Sequence, residues 1–227
     1  RSLRTLAAKS QSVVTIYALD HVLAYLGASL IEDFHEAYPS IILSVVDTTD
    51  AHAIAALASQ QCSFAITAGP LDETRFEGDP LFFNHYSVRM HRSHPLAKLP
   101  ALTYDDLDGQ TIISKGRAYD CFRHHIDKYF LAPGRKIHIL AETADESIIR
   151  TLLLHNKAIN IGYDYADPLY PHPDIVSRTL KEEISGQMIY LVSNPQVRKT
   201  KAGCLFRDYL LEWMKKKATI RYDRDRK

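Results

Sequence analysis

The sequence has no apolar run of the roughly 20 residues that a membrane-spanning helix needs, and no secretory-type leader. Cysteine is scarce: Cys62, Cys121 and Cys204 are odd in number and widely spaced. That excludes a closed disulfide framework and fits reduced thiols in the cytoplasm. An excess of charge of one sign is also missing. Twenty-eight Lys and Arg stand against 27 Asp and Glu, a formal net charge of +1. No basic stripe therefore marks the chain body as a nucleic-acid surface. The basic runs sit at the ends, at Arg1, Arg4 and Lys9 and again at Lys215, Lys216, Lys217, Arg221, Arg224 and Lys227, where they read as solvated termini.

Local catalytic signatures are equally scarce. There is no nucleophile elbow, Walker loop, Gly-x-Gly-x-x-Gly turn or zinc-binding helix. Eleven histidines include His91 with His94 and His124 with His125, but no Cys or carboxylate stands beside them at zinc-ligand spacing. No metal and no cofactor is expected, and the chain reads as a binding module rather than an enzyme.

What the 227 residues do hold is a 46% hydrophobic complement, enough to build a core unaided. The β-branched run Ser12 to Tyr17 is followed by apolar residues at Val22, Leu23, Leu26, Leu30, Ile31 and Phe34. That spacing predicts one helix, capped by Asp20 and stopped by Pro39. Strand Ile41 to Val46, a short helix with Ile54, Leu57 and Ala58, and strand Ser63 to Thr67 complete a βα series, the signature of a parallel sheet. Leu81 to Phe83 and Tyr86, Val88 and Met90 read as extended. A second series follows: strand 111–113, helix 118–130, strand 136–140, helix 147–154 and strand 158–162. Thr143 with Glu146 has the spacing of a capping box for the second helix of this series. A return strand over 187–193 precedes a last helix from about Thr200 to Lys216. Ligands in open α/β sheets bind beyond the carboxyl ends of the strands, so loops 18–21, 47–50, 68–70, 114–117 and 162–165 are expected to face a cleft between two lobes.

Several patterns in this order resemble the effector-binding domain of LysR-type transcriptional regulators, over about Val13 to Lys216. They are the strand and helix of Ile16 to Pro39, the strand Ser63-Phe64-Ala65-Ile66, the turn Ser93-His94-Pro95-Leu96-Ala97 and the segment Leu102 to Leu107. The resemblance implies an α/β fold of two Rossmann-like lobes, periplasmic-binding-protein-like of type 2, joined by crossover strands at Tyr86 to Met90 and Gln187 to Ser193. It implies lobe I from 12–84 plus 188–227 and lobe II from 85–187. Residues 1–11 would be the end of a linker from an N-terminal winged helix-turn-helix that this sequence does not contain. It further implies a homodimer of this segment, a tetramer of the parent protein, and DNA binding only through the other domain. A solute-binding protein of a transporter, or an enzyme on the same fold, are the alternative readings. Where the family commonly has Gly-x-Gly before the last strand of lobe II, this chain has Asn156-Lys157-Ala158; Asn tolerates the left-handed backbone such a turn needs.

On this alignment the effector, a small anionic metabolite, would be ringed by Leu19, His21, Thr48, Thr49, Asp50 and Gly69 from lobe I. Ser114, Lys115, Arg117, Tyr119, Thr143 and Tyr163 would face it from lobe II. His21 could attract a carboxylate and Asp50 would repel one, unless Asp50 simply caps its helix. Arg117 offers a fork of donors for a carboxylate or phosphate. Cys121 falls where peroxide-sensing members of the family place a reactive thiol. With no resolving cysteine downstream, it is expected to be a buried structural residue.

Overall fold

The computed structural model describes residues 11–181 and 186–224. Residues 1–10 of the expected linker tail, with Arg1, Arg4 and Lys9, and Lys227 at the other end lie outside the described residues. The first series is β1 (Ser12–Leu19), α1 (Val22–Leu26), α2 (Ala28–Ala37), β2 (Ile41–Thr48), α3 (Asp50–Ala58) and β3 (Phe64–Ala68). β1 pairs in parallel with both β2 and β3. The apolar spacing of 22–34 predicts one helix, but Gly27 divides it, with φ 89° and ψ 160°. Only glycine adopts that backbone without strain. The break re-aims the second half so that Leu30 and Phe34 stay buried against the sheet.

β4 (Glu77–His91) is a single strand of 15 residues, where the sequence suggests two extended pieces. Glu77 to His85 run antiparallel to β9 (Gly186–Ser193), which itself lies against β3. Beyond that point Tyr86 to Arg89 pair with β7 (Ile159–Tyr163), so β4 carries the chain from one lobe to the other. In the second lobe β5 (Thr111–Ser114) lies between β6 (His138–Glu142) and β7, parallel to both. The path of neighbours is β2-β1-β3-β9-β4-β7-β5-β6, with β8 (Ile175–Thr179) added on β4. No sequence pattern singled out β8. It is short, and its side chains are only partly buried.

α4 (Asp120–Ile126) is shorter than the helix expected over 118–130, and its continuation Asp127–Leu131 is a wider π turn closed by Ala132 N–H to Asp127 O at 2.9 Å. α5 (Glu146–Leu154) is capped by Asp145, whose carboxylate accepts from the N–H groups of Ser147 and Ile148. The expected Thr143–Glu146 capping box is thus corrected. Thr143 Oγ1 only accepts from Asp145 N–H, and the Glu146 side chain is drawn away to an arginine. Asn156 adopts φ 51°, the left-handed turn anticipated for it. α6 (Lys201–Arg224) returns to the first lobe, where Phe206 packs edge-on to Phe34 at 5.4 Å and tilted against Phe64 at 5.9 Å. Aromatic pairs of this geometry add to the area term that holds the core.

Candidate functional site

The carboxyl ends of β1 and β2 face those of β5 and β7 across the lobe boundary, and charged side chains bridge it. Lys115 follows β5 directly, and its Nζ donates to both carboxylate oxygens of Asp20, at 2.7 Å each. Both side chains are nearly enclosed, 11% and 13% exposed. Gly116, at φ 88°, makes this approach possible: a Cβ there would stand 2.7 Å from the Cβ of Glu142. The Lys115 ammonium also sits 5.4 Å from the ring centres of both Tyr119 and Tyr163, a cation–π arrangement from two sides. Asp20 is expected from sequence to be a helix cap. Instead its carboxylate is committed to Lys115, and its carbonyl accepts from the Tyr165 hydroxyl at 3.2 Å. His21, the residue before α1, takes a left-handed backbone at φ 66°. Its Nε2 lies 3.2 Å from Asp20 Oδ2 and its Nδ1 3.0 Å from the Tyr170 hydroxyl. Burial holds the imidazole below its ordinary pKa, so it is mainly neutral near pH 7 and is a hydrogen-bonding group rather than an anion trap.

Asp50 makes the second bridge. It is the first residue of α3, 4% exposed, and Thr49 rather than Asp50 is the N-cap of that helix. One Asp50 oxygen accepts from its neighbour Ala51 N–H at 3.0 Å and from Asp120 N–H at 2.9 Å. The other accepts from Cys121 N–H at 2.6 Å. Asp50 therefore caps a helix of the opposite lobe. A carboxylate belongs at that end because the free N–H groups of the first turn point at it. Repulsion of a carboxylate ligand by Asp50 is consequently softened by its own hydrogen bonds.

A third cluster backs the cleft in lobe II. Arg89, on β4 and 7% exposed, donates to both oxygens of Glu146, at 2.7 and 3.0 Å. It also donates to Asn160 Oδ1, whose amide nitrogen reaches Ile113 O at 3.0 Å. Asp167 Oδ1 is 3.8 Å from Arg89 and accepts no hydrogen bond from the described residues, while its other oxygen accepts from Ser177. Burial raises the Asp167 pKa accordingly. Between His21, Arg89, Lys115, Glu146 and Tyr163 there remains a cavity of about 20 Å3, room for about one water molecule. The cleft is closed on its own side chains.

Of the residues that the sequence points to, the structure brings His21, Asp50, Ser114, Lys115, Tyr119 and Tyr163 to this junction. Ser114 is fully buried and accepts from Gly116 N–H, holding the turn that aims Lys115. Tyr163 stacks between Tyr86 and Tyr165 and reaches Gln187 Oε1 at 3.3 Å. The side chains of the others turn elsewhere, although Thr143 N–H donates to Ser114 O and Thr48 O accepts from Asp20 N–H. Leu19 is core. Thr48 pairs with His52 on the exposed side of α3, and Thr49 is spent on its cap. Arg117 is 86% exposed and turns outward toward Glu142 at 3.5 Å, so its fork does not enter the closed cleft. Gly69 borders a different hollow, with Tyr86, Lys128 and Met188. Thr143 is at the surface start of α5. Sequence reasoning missed Arg89, Glu146, Asn160, Tyr165 and Tyr170. The available signal was a charged residue inside the apolar strand Tyr86 to Met90, which a buried sheet carries only if paired. Cys121 is 1% exposed, and burial drives its thiol far above the usual range, consistent with a structural role. Among the described residues no three His, Cys, Asp or Glu side chains group as metal ligands, and no helix is long and apolar enough to cross a membrane.

The effector-binding domain of QuiR in complex with shikimate superposes with a TM-score of 0.79 at 20% identity, covering 91% of this chain and 99% of that one. The regulatory domain of Synechocystis PCC6803 CcmR in complex with 2-PG gives 0.81 at 16% identity, covering 90% and 98%. The reduced OxyR regulatory domain from Pseudomonas aeruginosa gives 0.74 at 18%, covering 90% and 99%. These likenesses establish a shared two-lobed, periplasmic-binding-protein-like fold. In sequence, the HTH-type transcriptional regulator CysB of Burkholderia cenocepacia is 25% identical over 161 residues, 70% of this chain, and the chain covers 51% of that relative's length. The family model described as LysR substrate binding domain matches residues 7–215, nearly the whole sequence, and the chain belongs to that family.

Proposed function

We propose that this chain is the sensing module of a LysR-type regulator and that it binds a small anionic metabolite in the cleft between its lobes. The observation that carries the reading is the pair Lys115–Asp20, a lobe II cation held at 2.7 Å by a lobe I carboxylate across a closed cleft. An incoming carboxylate would take Lys115 from Asp20, and the lobe angle would follow. Shikimate and benzoate, the ligands of two similar structures, are carboxylates near neutral pH. Their likeness to this chain supports that chemical class.

In this reading lobe I comprises 12–84 plus 188–227 and lobe II 85–187. The segment pairs as a homodimer and the parent protein forms a tetramer. DNA is read by a separate N-terminal domain, the location is the cytoplasm, and no reaction is catalysed. The name of the CysB relative, an HTH-type transcriptional regulator of which this chain covers 51%, supports a separate DNA-reading domain.

The test is calorimetric titration of the purified chain with a panel of organic acids, neutral sugars and amines. A carboxylate should bind the wild type, bind Lys115→Ala at least tenfold more weakly, and bind Asp20→Asn more tightly because its internal competitor is gone. Binding by neutral or cationic compounds alone would remove the anionic part of the proposal. Turnover of a bound compound would replace the sensor with an enzyme.

A further inference from the structure

The cleft uses the carboxyl ends of the lobe I strands; the other end of the same sheet holds a larger space. There the loop after α3 (59–63) and the loop before α6 (194–200) enclose a cavity of about 280 Å3. Thr15 on its wall is four residues before Leu19 on β1, which puts it roughly 13 Å from the cleft end of that strand.

The charge around this cavity is one-sided. α6 begins here and runs for 24 residues without an acidic residue in its first turn. Asp and Glu are enriched at that position, because the free N–H groups and the aligned peptide dipoles make it positive. In place of an acid the sequence supplies Arg198, Lys199 and Lys201. Lys199 shares the exposed carboxylate of Glu77 at 3.3 Å, while Arg198 pairs with no carboxylate among the described residues. Thr200 Oγ1 accepts from Gly203 N–H at 3.0 Å, so one of the first N–H groups is capped and those of Lys201 and Ala202 precede any acceptor within the helix. Burial pushes the Cys62 thiol on the cavity wall up to about 11, so it adds no negative charge.

An independent observation points to a ligand. Ser193, the last residue of β9, is 3% exposed and lines this cavity. Strand alternation puts it on the side of Ile189 and Leu191, facing α6. No hydrogen bond joins its hydroxyl to the described residues, and the oxygen is not among the sealed side-chain atoms, so it opens onto this space. The amides of Gln60, Gln61 and Asn194 bring further donors to the same wall.

We infer that this cavity is a second ligand site, separate from the inter-lobe cleft, that takes a tetrahedral oxyanion, phosphate or sulfate, with room for a small organic body attached to it. Arg198 and the start of α6 supply the charge, and Ser193 donates its free hydroxyl proton. The inference does not depend on what the cleft binds.

The experiment titrates the chain with inorganic phosphate and with sulfate against chloride at matched ionic strength, read by melting temperature and by the amide resonances of Ser193 and Gly203. The expected result is a concentration-dependent rise in melting temperature, with both resonances moving. Ser193→Ala should weaken binding about tenfold, since a hydrogen bond to a charged group is lost. It should leave the unliganded melting temperature unchanged or higher, because the hydroxyl removed had no partner. Arg198→Ala should weaken binding as well, and Lys115→Ala should not. No response beyond chloride overturns the inference. So does a response kept in Ser193→Ala and lost in Lys115→Ala, which would place the anion in the cleft.

Discussion

The carboxylate of Asp50 closes the first turn of a helix in the other lobe, with Oδ2 at 2.6 Å from Cys121 N and Oδ1 at 2.9 Å from Asp120 N. One side chain thus ties the start of α3 to the start of α4 and ends up 4% exposed. Asp50→Ala removes three charge-assisted hydrogen bonds, two of them between the lobes, and leaves buried donors unmet. The expected loss is about 2–4 kcal/mol, with a larger radius of gyration as the lobes part. Urea denaturation and small-angle scattering measure both; a variant as stable and as compact as wild type would show that Asp50 does not hold the lobes together.

The Lys115–Asp20 pair should behave as a buried ion pair, which is costly to break from one side. Lys115→Met and Asp20→Asn are each expected to cost about 3 kcal/mol, because each leaves an uncompensated or under-bonded partner, and the double variant should cost less than their sum. A double-mutant cycle by chemical denaturation reads the coupling. Strict additivity would mean that the two charges are independently solvated.

His125 is fully buried, accepts or donates at Nε2 with the Tyr104 hydroxyl at 2.8 Å, and stacks on Tyr86 with ring centres 3.8 Å apart. Burial, with smaller contributions from His124 and Lys128, lowers its pKa to about 3. The unfolded chain binds a proton near pH 6.5 that the folded chain refuses. Stability is therefore complete above that pH and falls as pH drops toward 3, by about 1.4 kcal/mol per unit from this group alone. His125→Phe keeps the stack and should flatten that limb, which denaturation midpoints between pH 4 and 8 would reveal. An unchanged slope in the variant would assign the acid sensitivity elsewhere.

Of the three cysteines, Cys62 and Cys121 are buried and Cys204 is exposed. Burial raises the pKa of both enclosed thiols, and the thiolate is the reactive form. Ellman's reagent should react quickly with one thiol per native chain and with three in denaturant. A second fast thiol, lost in Cys121→Ser, would make Cys121 reactive after all.

Much of the architecture could be read locally. The β-branched run that became β1, the apolar spacing on α2 and α6, and the left-handed Asn156 each follow from a residue's own backbone preference or a period of two or 3.6. The weak points were also local. Gly27 interrupts a helical pattern that still looks continuous in its apolar positions, and β8 has too little buried surface to leave a pattern. The site was legible only in part. Lys115, His21 and Tyr163 follow from strand ends facing a cleft, whereas Arg89 and Asn160 lie inside strands and become visible only when β4 and β7 pair.

By itself the sequence determined the two βα series, the even charge balance and the left-handed turn at Asn156. The tertiary structure decided whom the carboxylates serve. Asp20, Asp50 and Glu146 all look like local caps in sequence, yet their partners stand 95, 70 and 57 residues away, at Lys115, Asp120 and Arg89. A cap is a contact between near neighbours and can be predicted from spacing. A charge about to be buried must instead pair with whatever opposite charge or free N–H the packing of the lobes brings within reach, and no local pattern records that choice.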